Sequence, residues 1–92
     1  MAFEWDAAKA AANLSKHGLS FLAATDVFLD PAYVEVDVSR SGDSEVRRKA
    51  FGMVDGQFIA VVYAVRGDVV RLISARRARP KEARGAHRPV HP

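Results

Sequence analysis

The sequence predicts a single α+β domain: two N-terminal helices, an antiparallel β-meander and a short C-terminal helix. Three observations lead there. Apolar residues recur at helical spacing up to residue 30 and at a spacing of two from residue 33, and turn-forming residues fall between those stretches. The third is length, because 92 residues supply one core and no second domain.

Phe3 to Trp5 suits a short first strand. Asp6 then stands as an N-cap before the alanine-rich run from Ala7 through Leu14, Lys16 and His17 occupy the last turn, and Gly18 takes the place where a left-handed residue ends a helix. Ser20 offers a second N-cap, with Phe21, Ala24, Val27 and Phe28 at helical spacing before Asp30-Pro31 stops the segment. Val34, Val36 and Val38 alternate with Glu35 and Asp37, which predicts a strand with one wet face. After a polar loop at residues 39–44, a second strand is expected from about Glu45 to Val54, and Asp55-Gly56 is a hairpin signal. The third strand, Gln57 to Val65, is nearly all apolar and should be central. Arg66-Gly67 turns the chain into a fourth strand, Val69 to about Arg76. Pro80 fits the first position of a C-terminal helix limited by Gly85 and Pro89, with a flexible tail expected from about residue 85.

Composition narrows the function. Apolar residues make up 49% of the chain, and a domain of this size buries only somewhat more than ~60% of its unfolded surface, so no large cofactor is expected. The absence of cysteine excludes disulfides, thiol catalysis and cysteine-based metal sites. Phe58 to Val65, the longest apolar run, is too short to span a membrane, and the N-terminus has neither a basic nor a long apolar leader region. A cytoplasmic protein without a membrane partner is the expectation.

The net charge of +3 conceals an asymmetry. Residues 1–65 hold six Lys+Arg against nine Asp+Glu, whereas residues 66–92 hold eight against two, a local balance of +6. Seven of those eight are arginine, whose planar guanidinium suits bidentate contact with phosphate oxygens. A polyanion is the natural partner class, although a basic tail that meets an acidic protein has equal weight on charge alone.

Within that third, residues 69–77 alternate so that Arg71 and Arg77 share one face and Arg76 the other, unless a bulge or the strand end intervenes. An arginine inside an apolar strand needs a carboxylate or a ligand, and Glu35, Asp37 and Glu45 are the candidate partners for Arg71. Arg76 and Arg77, at the strand end, are more available to phosphate. Glu45 precedes Arg47, Arg48 and Lys49. A carboxylate acting as base on a ribose 2′-hydroxyl, beside an arginine that stabilises the phosphorane, is the division of labour of a metal-independent ribonuclease. His17, at a helix C-terminus, suits a proton donor or, on the plainer reading, a group bonding the last free carbonyls. His87 and His91 are four apart, but Pro89 lies between them, so no metal site is expected.

Several short blocks in order resemble the BrnT toxin family of bacterial type II toxin–antitoxin systems: Phe3-Glu4-Trp5-Asp6 with Lys9 and Asn13, Lys16-His17-Gly18 with Ser20-Phe21, Asp30-Pro31, Tyr63, Arg66-Gly67, Arg71, and Ile73-Ser74-Ala75-Arg76-Arg77-Ala78. The resemblance covers residues 3 to about 84. It implies a RelE-like fold, sequence-independent or weakly selective RNA cleavage without metal, and neutralisation by a ribbon-helix-helix antitoxin of the BrnA type. Operator DNA would then be met only through an oligomeric toxin–antitoxin complex. One departure from the resemblance is visible: members of that family commonly continue the final helix with an arginine-rich turn and a Tyr-Glu near its end, where this chain has Gly85-Ala86-His87.

The expectation is therefore an endoribonuclease toxin acting on mRNA. His17 (acid), Glu45 (base), Arg71, Arg76 and Arg77 are its candidate catalytic residues, and Lys16, Lys49, Arg66, Arg79 and Lys81 its RNA contacts. The alternative is a non-catalytic basic module that binds nucleic acid or an acidic protein.

Overall fold

The computed structural model describes residues 1–82. Strand β1, Ala2–Glu4, leads into helix α1, Ala7–His17. The Asp6 carboxylate accepts from the backbone N–H groups of Ala8 (2.7 Å) and Lys9 (3.3 Å), satisfying two donors that the helix itself leaves free. Those bonds hold the Asp6 pKa below its ordinary value. At the other end Gly18 adopts φ 68° and its N–H donates to the Leu14 carbonyl at 2.8 Å.

The second helical segment departs from the expected single α-helix. Ser20 Oγ accepts from the Ala23 N–H at 3.0 Å, but helix α2 covers only Phe21–Ala24 and is followed by a 3-10 helix, Thr25–Leu29. The Thr25 hydroxyl donates to the Leu22 carbonyl at 2.7 Å, a local bond that competes with the α-helical ladder and favours the tighter turn.

Strands β2 (Val34–Asp37), β3 (Arg47–Val54), β4 (Gln57–Arg66) and β5 (Val69–Arg77) complete a five-stranded sheet in the order β1-β5-β4-β3-β2. Consecutive strands from β2 to β5 pair antiparallel, as a meander should, and Asp55 and Gly56 turn β3 into β4 at φ 50° and 78°. The sheet as a whole is mixed, because β1 runs parallel to β5 with Phe3 opposite Val70 and Glu4 opposite Arg71. Phe3 stacks near Phe28 (5.6 Å between centroids), and Glu4 binds Arg71 at 2.9 Å. Both contacts draw β1 to the edge that the meander leaves open. Strand β2 is the opposite edge and is exposed on both faces, not on one as the valine alternation suggested. Residues 80–82 form a helical turn after Pro80; the expected end at Gly85 and Pro89 lies outside the described residues.

The helices cover one face of the sheet. Phe21 and Val27 meet Ile59, Val61 and Leu72 there, all essentially sealed from water. Strand β5 would normally alternate throughout, but Val62 pairs with Ser74 while Tyr63 pairs with Leu72, leaving Ile73 as a bulge. Val70, Leu72 and Ala75 therefore all reach the core, and Arg71, Ser74 and Arg76 all face the other way.

Candidate nucleic-acid interface

The face turned away from the helices is built in rows across three strands. Arg47, Ala64 and Arg71 form one row, Lys49, Val62 and Ser74 the next, and Phe51, Ala60 and Arg76 the third. Ala64 and Ala60 stand at the centre of the two outer rows, and both are buried. The two arginine rows stand about 13 Å apart, four residues along an antiparallel strand.

Each arginine row carries its own ionic cluster. In the first, Glu4 binds Arg71 at 2.9 Å and approaches Arg66 at 3.6 Å, while Arg66 Nε donates to Glu45 at 2.7 Å. The guanidinium beside it lowers the Glu45 pKa, and Glu45 in turn raises that of Arg66. Arg71 is thus paired with a carboxylate from β1, not with the expected Glu35, Asp37 or Glu45. In the second cluster both terminal nitrogens of Arg76 donate to Glu82, at 2.8 and 2.9 Å, and Lys49 Nζ donates to the same carboxylate at 2.9 Å. The Arg79 N–H adds a fourth bond at 2.9 Å. Arg76 contributes most to holding the Glu82 pKa far below the usual carboxylate range. Lys49 also lies 5.5 Å from the centre of the Phe51 ring, a cation–π contact. Arg47 Nε is buried without a hydrogen-bond partner among the described residues.

The other residues singled out in the sequence lie elsewhere. Arg77 projects to the helix-covered side, where its Nε donates to Gln57 at 3.2 Å. His17 ends α1, and among the described residues its side chain bonds to none of the arginines. Lys16, Arg79 and Lys81 are exposed. His87 and His91 lie outside the described residues. No group of three or more His, Asp or Glu side chains among the described residues is arranged to hold a metal ion.

A pair of phenol and carboxylate escaped the sequence reading. The Tyr63 hydroxyl donates to Glu35, which also receives Arg48 at 3.4 Å, in a groove of about 340 Å³ lined by Phe28 and Tyr33 on the helix-covered side. Burial, followed by that hydrogen bond, raises the Tyr63 pKa. The alternation Val34, Glu35, Val36 was the available signal, because the valines lie with the cationic rows and Glu35 with the helices.

The family model described as the ribonuclease toxin, BrnT, of type II toxin–antitoxin systems matches residues 5–82. The chain belongs to the BrnT family. It is accordingly a member of a family of ribonuclease toxins that work with an antitoxin. No curated protein matches it. The matched BrnT segment includes both ionic clusters except Glu4 and ends at Glu82. Gly85-Ala86-His87 falls beyond both the match and the described residues. No helix among the described residues is long and apolar enough to cross a membrane.

Proposed function

We propose that this BrnT-family toxin is a metal-independent endoribonuclease that binds mRNA across the rows of cations on the sheet face opposite α1 and α2. One observation supports the reading above others: the bulge at Ile73 puts Arg71 and Arg76 on the same face as Arg47 and Lys49. Strict alternation would have divided them. Four cations ranged across the rows of Ala60, Val62 and Ala64 make a surface for a phosphate backbone, with no demand for a particular base.

In the reaction a ribose 2′-hydroxyl gives its proton to a base and its oxygen attacks the adjacent phosphorus, the bond to the 5′-oxygen breaks, and that oxygen takes a proton from water, so the products are a 2′,3′-cyclic phosphate and a 5′-hydroxyl. Arginine is suited to the charge that builds on the phosphorane, and Arg71 and Arg76 take that role here, with Lys49 beside them. Glu45 is the candidate base. Arg66 suppresses its proton affinity, and an RNA phosphate that drew Arg66 away would restore it. The helix-side placement of Arg77 argues against its role as a phosphate contact, and His17 lacks any bond to the arginine rows.

The antitoxin in this reading is a ribbon-helix-helix protein of the BrnA type that covers the cationic face and so blocks phosphate access. Incubation of the purified protein with single-stranded RNA in excess EDTA tests the activity. Fragments ending in a 2′,3′-cyclic phosphate are expected. Binding without cleavage, with or without added metal, favours the non-catalytic module instead, and cleavage that appears only after metal is restored removes metal independence.

A further inference from the structure

We propose that the carboxylate of Glu82 occupies the seat of an RNA phosphate, so that the toxin holds its own anion site filled until RNA displaces it. This rests on the ribonuclease reading above and goes beyond it in naming what controls the site.

The seat is assembled from separate parts of the chain. Lys49 lies on β3 and Arg76 on β5, with the whole of β4 between them, yet one carboxylate binds both. Oε1 accepts from Arg76 and from the Arg79 N–H, and Oε2 accepts from Arg76 and Lys49. A two-pronged guanidinium contact, an ammonium and a backbone N–H are the donors that recognise a phosphodiester. Here an anion that likewise offers two acceptor oxygens already engages them.

Local sequence explains how Glu82 arrives there. Pro80 fits the first position of the helical turn, which places Glu82 third, where a glutamate side chain can reach back to the N–H of the capping residue, Arg79. The backbone bond fixes the carboxylate over the sheet, and the cations then close on it. The terminal nitrogens of Arg76 are spent on Glu82, one of them also donating to the Arg77 carbonyl at 3.1 Å. A phosphate cannot take that end of the fork, and the negative charge beside it repels one approaching from the side.

A carboxylate that merely positioned Lys49 and Arg76 for RNA would make the opposite prediction, and the sign of one substitution separates the two. Glu82→Gln keeps the length of the side chain and an oxygen to accept from Arg79, but removes the charge. Binding of a fully 2′-O-methylated, non-cleavable single-stranded RNA to the full chain is measured by fluorescence anisotropy at several salt concentrations. Glu82→Gln is expected to bind at least tenfold more tightly, with a steeper fall in affinity as salt rises, because two freed cations now meet phosphates. Equal or weaker binding by the folded variant overturns the proposal, and binding by wild type alongside it leaves the ribonuclease reading standing.

Hydrogen exchange at the Arg79 amide of the wild-type protein gives a second measurement that needs no variant. Saturating RNA should accelerate that exchange as Glu82 leaves. Unchanged or slowed exchange overturns displacement. If neither protein binds RNA at low salt, the RNA-binding reading and this proposal fall together.

Discussion

The side chain of Asn13 pairs with the backbone of Ala75 in both directions: its Nδ2 donates to the Ala75 carbonyl at 2.8 Å, and the Ala75 N–H donates to its Oδ1 at 3.0 Å. Strand β1 pairs with β5 only as far as Arg71, so among the described residues the rest of that strand edge has no neighbouring strand. Asn13 supplies the missing partner and seats α1 there, and its Nδ2 donates as well to Leu19 across the Gly18 turn, at 3.0 Å.

Asn13→Ala should therefore destabilise the protein by about 2–6 kcal/mol, since it leaves a buried donor and acceptor unpaired at ~1–3 kcal/mol each. Urea unfolding measures it. A loss below about 0.5 kcal/mol, the scatter of an ordinary surface substitution, would show that water satisfies Ala75 equally well.

Gly52 is the point of closest approach between the sheet and the 3-10 helix. A Cβ there would stand 2.7 Å from Val27 Cγ2 and 3.1 Å from the Val27 carbonyl oxygen. Gly52→Ala should cost about 1–3 kcal/mol by overpacking. Adding Val27→Ala should recover part of the loss if the methyl clash is the main cause, whereas additive losses would place the strain in the backbone contact.

Arg71→Ala should slow RNA cleavage by about 10–100-fold, the kinetic equivalent of one charge-assisted bond worth ~1.5–3 kcal/mol. Arg77→Ala should change it less than threefold, because its side chain lies on the other side of the sheet. Rates are compared per folded molecule. Equal losses at the two positions would mean that RNA does not follow the bulge-defined face.

His17→Gln should retain the cleavage rate of the folded protein. Stability is the property it alters, by about 0.5 kcal/mol or less, the range of an ordinary surface substitution. A cleavage rate reduced a hundredfold without weaker RNA binding would restore His17 as the proton donor.

Acid should weaken the fold through the carboxylates. Asp6, Asp37, Glu45 and Glu82 all have pKa values lowered by hydrogen bonds or arginine neighbours in the folded protein. Their stabilisation is complete above the unfolded-state carboxylate values, near 3.8 for Asp and 4.5 for Glu, and is lost as pH falls toward the folded values. Thermal melts should hold steady from pH 7 to about 5 as far as these groups are concerned, then decline. Glu82→Gln should show a shallower decline below pH 4.5 than wild type, and an identical acid limb would mean that the Arg76 pair adds nothing to folding.

Much of the framework was legible from neighbours in sequence. Asp6 and Gly18 delimit α1, and Asp55-Gly56 turns a hairpin, because caps and tight turns are decided by the conformational limits of a few adjacent residues. The central strand β4 could be read from its unbroken apolar run, since only a strand covered on both sides tolerates one. The concentration of arginine after residue 65 was equally plain, although charge alone left nucleic acid and an acidic protein with equal weight as partners.

Tertiary structure decided where those charges stand. The bulge at Ile73 places Arg71 and Arg76 on one face, and a single missed residue reverses every later side chain because strand periodicity is two. The parallel docking of β1, the Glu4–Arg71 pair and the Asn13–Ala75 bridge join residues more than sixty positions apart. No local preference encodes such a meeting. It is settled by which buried groups must find partners once the sheet and helices close on the same core, and that same closure brings Glu82 down onto Lys49 and Arg76.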